Sequence, residues 1–157
     1  MTKPKILAFD TTAAHCAAAL LVGERVVKTR VEEMKKGQAE RLMLMLEELL
    51  KDNSTEWSDL DAIAVGIGPG NFTGIRIGVS AARGLALGLE KPAIGVSALE
   101  AQVHGKERTV QACIPAPRET AYVQDFVAEG PLEPTHQSMP LNPLPMQGAH
   151  EMIDTIA

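Results

Sequence analysis

Aromatic residues are the scarcest class in this chain: one Trp, one Tyr and three Phe among 157 residues. A protein that grips nucleic acid unaided stacks bases on aromatic rings and lines the strand with lysine and arginine. With few rings and a net charge of −5, this chain is expected to reach nucleic acid only indirectly. Cysteine is almost absent as well. Cys16 and Cys113 form no Cys-x-x-Cys pair and sit in apolar runs, so they read as small core residues. A disulfide scaffold is excluded on that pattern, and the cytoplasm is the default compartment. No apolar run approaches the ~20 residues of a membrane helix. Asp10 stops the opening run "KILAFD" before it reaches the length of a secretory core.

The usual catalytic spacings are missing too. The stretch "GIGPGNFTGIRIG", Gly66 to Gly78, is a glycine-rich strand-to-helix junction of the kind that often holds phosphate. A P-loop needs a lysine after its last glycine, and no lysine occurs between Lys51 and Lys91. The dinucleotide spacing fails as well: counting from Gly66 and Gly68 its third glycine is Asn71, and from Gly68 and Gly70 it is Thr73. His15, His104, His136 and His150 make no metal-binding pair, and no Gly-x-Ser-x-Gly elbow exists. Neither a catalytic residue nor a metal site is expected from motifs.

What is present is a clear order of elements. "KILAFD" (5–10), "CAAALLV" (16–22) and "RVVKTRV" (25–31) read as strands, the last two joined by a turn at Gly23-Glu24. A helix is expected over 38–51, a doubly buried strand over 60–68, a helix over 73–89 and a strand over 93–97. Ser97 and Glu100 form a capping box for a short helix ending near His104. Three antiparallel strands followed by strand–helix crossovers describe an α/β, ribonuclease-H-like lobe, with the fourth strand beside the first. This lobe is expected over 1–105. From 106 to 157 the pattern restarts: strands at 109–114 and 120–127, a "PAPRE" turn between them that echoes the opening strand–turn–strand, and a proline-rich tail from Glu129. A last short helix is expected over 149–156.

The two long helices are too apolar for one-sided packing. At about 100° per residue, Ile75, Val79, Ala82, Ala86 and Leu89 share one side of the second helix. Gly74, Gly78, Ala81, Gly84 and Gly88 share another. Each helical glycine costs roughly 1 kcal/mol relative to alanine, which is tolerable where another backbone must come close. That neighbour is the chain's own first helix, a second protein, or both. On the first helix Leu42, Leu46 and Leu49 form the core stripe. Ala39, Met43 and Leu50 widen it on one side and Met45 on the other, to an arc of roughly 160°. A thick core with one exposed leucine, Leu44, accounts for this; so does an interface. We favour the interface and expect partner contacts at Ala39, Met43, Leu46, Leu50, Gly74, Arg76, Ile77, Gly78, Ala81 and Gly84.

Asp10, Thr11 and Thr12 end the first strand. A carboxylate there holds a metal in some ribonuclease-H-like folds, but one carboxylate is too few for Mg²⁺ chemistry. The three residues are therefore read as a vestigial cofactor site. A turn in which Asp10 bonds nearby backbone N–H groups is the competing reading. An actin-like ATPase or small kinase using Asp10 remains an alternative function, as does a homodimeric interaction module.

The blocks "ILAFDTT", "GQAERLMLMLEELL" and "LDAIAVGIGPGNFTGIRIGVSAARGLALGLEKPAIGVSALEA" strongly resemble the TsaB (YeaZ) family over about residues 5–105. "PRETAYVQ" resembles its second-lobe hairpin more loosely. The resemblance implies an actin/Hsp70-like (ASKHA) duplicated fold. It also implies a non-catalytic subunit that binds and stabilises the paralogous enzyme TsaD, which makes N6-threonylcarbamoyladenosine in tRNA. The ATPase TsaE joins that pair, so ATP and Mg²⁺ belong to the complex and not to this chain. Family members contact TsaD through the first two helices, and homodimers use a similar surface. This sequence departs from the family where the second lobe usually carries an Asp and here has "PAPRE", and family members usually run longer, so against the family residues 106–157 are expected to form a reduced second lobe with a proline-rich tail.

Overall fold

Alternation of large and small apolar residues builds the first sheet. The computed structural model describes residues 3–106, 109–118, 120–127, 130–131 and 139–140. Strands β1 (Lys5–Asp10), β2 (His15–Val22) and β3 (Arg25–Glu33) form an antiparallel meander. β4 (Ala62–Gly66) pairs in parallel with β1, and β5 (Ala93–Val96) in parallel with β4. The order is β3-β2-β1-β4-β5, the ribonuclease-H-like arrangement. Leu7, Phe9, Cys16, Ala18, Leu20, Ile63 and Val65 alternate onto one face and join one buried cluster. The opposite face carries Ala8, Ala17, Ala19, Ala62 and Ala64.

Helices α1 (Gln38–Asp52) and α2 (Phe72–Leu89) cover the large-residue face. α1 begins after Gly37, which adopts φ +93°, and the Asn53 side chain donates to the Leu49 carbonyl at its end. Leu42, Met45, Leu46, Leu49 and Leu50 point into the core. On the flank towards β3, the Arg41 guanidinium is forked between Glu32 and Glu48, and Arg30 bridges Glu48 and Asp52. A 3-10 turn over Trp57–Asp59 precedes β4; Leu60 and Asp61, expected as strand, belong to its exit. β5 is exposed along its whole length, as an edge strand is.

The chain divides into two compact units, and the second starts at Ser97 with residues 68–70 included. The short helix α3 (Ala98–Val103), with its Ser97/Glu100 capping box, was assigned above to the first lobe. In the structure it groups with the second unit, because Leu99 is buried with Ala112, Ile114 and Phe126. Strands β6 (Val110–Ala116) and β7 (Thr120–Val127) make a hairpin, so Pro115 and Ala116 finish a strand where "PAPRE" predicted a turn. The Gln102 amide donates to the Cys113 carbonyl and accepts from the Cys113 N–H, at 3.2 and 3.1 Å. Short strands β8 (Gly130–Pro131) and β9 (Met139–Pro140) pair with β7. Most of the proline-rich tail, and the helix expected over 149–156, lie outside the described residues.

Both cysteines are free, and burial, aided by Glu32, pushes the Cys16 thiol up to about 11. Among the described residues no helix is long and apolar enough to cross a membrane.

The glycines of α2 are not equivalent. A Cβ on Gly74 would overlap the Thr11 carbonyl oxygen, whereas one on Gly84 or Gly88 would touch nothing among the described residues. Gly74→Ala should therefore destabilise the chain by at least about 3 kcal/mol. Gly84→Ala should stabilise it by up to about 1 kcal/mol. Urea denaturation of the two variants checks both signs.

Candidate functional site

The turn after β1 is closed by its own side chains. The Asp10 carboxylate accepts from the Thr12 N–H at 2.6 Å, the Thr12 hydroxyl at 2.9 Å and His15 Nε2 at 3.3 Å. The Thr11 hydroxyl donates to the Gly74 carbonyl at 2.7 Å, and the Asn71 N–H donates to the Thr12 carbonyl at 2.6 Å. All three residues of the turn are buried. Burial raises the Asp10 pKa, but the bonds from His15 and Thr12 outweigh it and hold the carboxyl below its ordinary value. Gly66 makes room for this carboxylate, since a Cβ there would overlap Asp10 Oδ2. Among the described residues no three His, Cys, Asp or Glu side chains are grouped to hold a metal. The geometry matches the competing reading of Asp10 as a turn residue that bonds local backbone N–H.

The N-terminal half of α2 is fitted to that turn. Asn71 caps the helix by accepting from the Gly74 N–H at 2.9 Å. Gly74 lies on the Thr11 backbone, and a Cβ on Gly78 would come within 2.9 Å of Thr11 Oγ1. The expectation that Gly74 and Gly78 meet a partner is therefore corrected: the chain's own turn fills the space they leave. Leu46 and Leu50 are corrected likewise. They are buried in the core cluster, because the inner edge of α1 rotates them against the sheet.

The remaining expected contacts, Ile77 apart, lie on an open surface. Met43, Ala81 and Gly84 line an apolar groove of about 580 Å³ together with Glu47, Trp57, Leu85, Gly88 and Leu89. Ala39 and Arg76 are exposed, and Ile77 is half-buried against the core. The Arg76 guanidinium stacks on the Phe72 ring, 5.5 Å from its centroid. Around the groove large apolar side chains stand in solvent: Met43 is 37% exposed, Leu44 55% and Leu87 83%. The expected contacts did not include Glu47, Trp57, Leu85, Gly88 or Leu89. Trp57 stands in a short turn with no helical period to place it. Its isolation as the chain's single tryptophan was the available signal.

Asp10→Ala leaves the Thr12 N–H and hydroxyl without their acceptor and should lower stability by about 2 kcal/mol near neutral pH. A carboxyl whose folded pKa is depressed stabilises above its unfolded value, near 3.9. That contribution is lost as pH falls through the lower folded value. Urea titrations at about pH 7 and about pH 2.5 should show the gap between wild type and variant narrowing in acid. An equal gap at both would show that the charge plays no part.

A family model described as "TsaD: tRNA N6-adenosine threonylcarbamoyltransferase" matches residues 26–127. The chain is 40% identical over 104 residues to the tRNA threonylcarbamoyladenosine biosynthesis protein TsaB of Escherichia coli, covering 66% of this chain and 45% of that protein. Over 64 residues it is 52% identical to a tRNA N6-adenosine threonylcarbamoyltransferase of Jannaschia, covering 41% of this chain and 18% of that enzyme. Among solved structures, YeaZ from Pseudomonas aeruginosa superposes with a TM-score of 0.75 at 30% identity, covering 92% of this chain and 71% of that one. The chain spans about half the length of the curated TsaB relatives it matches. With the sheet order, the glycine-fitted turn and these likenesses together, the chain belongs to the TsaB (YeaZ) family.

Proposed function

We propose that this chain is a non-catalytic partner subunit that binds and stabilises a TsaD-type enzyme making N6-threonylcarbamoyladenosine in tRNA. In this reading the α1–α2 groove is the docking face, contacted at Ala39, Met43, Arg76, Ile77, Ala81 and Gly84. The enzyme contributes the chemistry and the metal, a TsaE-type ATPase joins through the complex, and tRNA is met only through the enzyme. This work belongs in the cytoplasm.

The observation that carries the reading is the open end of α2. Gly84 and Gly88 each cost the helix roughly 1 kcal/mol, yet among the described residues nothing comes close enough to need their missing side chains. Gly74 and Gly78 are explained by the fold; Gly84 and Gly88 are not. Bare backbone beside exposed Met43 and Leu87 suits a second helix pair packing at close range. Methionine adapts to the shape of what it meets. The closed Asp10 turn, with its carboxylate already engaged, favours a subunit over an independent ATPase.

Size-exclusion chromatography of the chain with the TsaD-type enzyme of the same organism tests this. The wild type should co-elute with the enzyme. Gly84→Trp should weaken pairing by tenfold or more, on the order of the effect of filling a helix contact, while melting at or above the wild-type temperature. Co-elution of Gly84→Trp at undiminished affinity would place the interface elsewhere.

A further inference from the structure

The two flanks of the groove carry opposite charge, and that charge is unspent. On α1, Glu40 and Glu47 are exposed on the groove side, with Lys51 in the last turn. On α2 the only charged residues are Arg76 and Arg83, both exposed. Glu47 lines the groove beside Gly84 and Gly88. Arg83 lies about 100° round the helix from Gly84, on the far flank, and Arg76 within about 20° of Arg83. The other side of α1 differs. There Glu32, Glu48 and Asp52 are already bonded to Arg30 and Arg41. Among the described residues Glu40, Glu47 and Arg83 have no such partner.

This inference rests on the subunit reading above and adds what the partner must present. The matched family region, residues 26–127, includes both helices and carries the enzyme's description, so a TsaD-type paralogue brings the same helix pair. Equivalent surfaces of paralogues meet about a pseudo-two-fold axis, as identical ones meet about a true one. Gly84 and Gly88 offer the bare backbone that permits the closest approach, so an axis through that ridge would let the two helix pairs meet at shortest range. α1 lies on one side of that ridge; the rotation sets the partner's α1 on the other side, over Arg83. We propose that Arg83 pairs with an acidic side chain on the paralogue's α1 and Glu47 with a basic side chain on its α2. These two reciprocal ion pairs then fix the register and the choice of partner.

The test is the Kd between this chain and the TsaD-type enzyme, measured by calorimetry at low and high salt. Arg83→Glu should weaken binding by tenfold or more, Arg83→Gln by less, and the salt dependence of Arg83→Gln should be flatter than that of the wild type. Lys28→Glu, an exposed change on β3 with the same effect on net charge, should leave the Kd unchanged. If Gly84→Trp abolishes binding but Arg83→Glu does no more than Lys28→Glu, the charge pairing is overturned and the subunit reading stands. If the wild type does not bind the enzyme at all, the subunit reading itself falls. Self-association that Arg83→Glu weakens and Glu47→Arg/Arg83→Glu restores, without enzyme binding, would overturn the paralogue as occupant.

Discussion

The Thr11 backbone lies directly on the Cα of Gly74, and the rest of the first unit is arranged around that contact. Its hydroxyl bonds the Gly74 carbonyl, the Asn71 N–H bonds the Thr12 carbonyl, and Gly78 leaves room for the Thr11 side chain. α2 is thereby pinned to the end of β1 at a distance that no residue with a side chain allows. Gly66 does the same for the Asp10 carboxylate from the neighbouring strand. Three glycines of a block that resembles a phosphate loop thus serve one buried turn. Close packing in an interior makes such a fit all-or-none, because neither a carbonyl oxygen nor a helix backbone gives way.

Once its N-terminal half is fixed, α2 keeps Leu85 and Leu89 against the core and leaves Gly84 and Gly88 on its open side. The same helix therefore has two characters. Gly74, Gly78 and Ala82 are buried within the chain, whereas Ala81, Gly84 and Gly88 line the groove shared with Met43, Glu47 and Trp57. α1 divides in a parallel way, with Leu42, Leu46, Leu49 and Leu50 buried, one flank of charge bonded to β3 and the other flank, with Leu44, open. A surface with bare backbone, exposed apolar side chains and unpaired charges is poorly designed for water alone. That is the physical case for reading it as one half of an assembly.

Much of this was legible in the chain as written. The strand and helix order followed from periodicity, the capping box at Ser97 from spacing, and the apolar excess of α1 and α2 from angular position. The errors have common causes. Angular position says which residues share a side of a helix, not what stands opposite that side. Gly74 and Gly84 therefore looked alike, although one meets a carbonyl and the other meets solvent. Leu46 and Leu50 were placed at an interface because the arc was wide, while the sheet takes up more of that arc than a planar wheel suggests. α3 was grouped by its position along the chain, but Leu99 packs with β6 and β7.

The sequence by itself determined the sheet order, the two long helices and the absence of a nucleotide-loop spacing, because these depend on short-range patterns of polarity, glycine and proline. Only the tertiary structure decided which glycines are internal joints and which are open, and that Asp10 is engaged by Thr12 and His15. Those outcomes depend on what lies across a gap of a few ångströms between segments some sixty residues apart, and no local pattern encodes that distance.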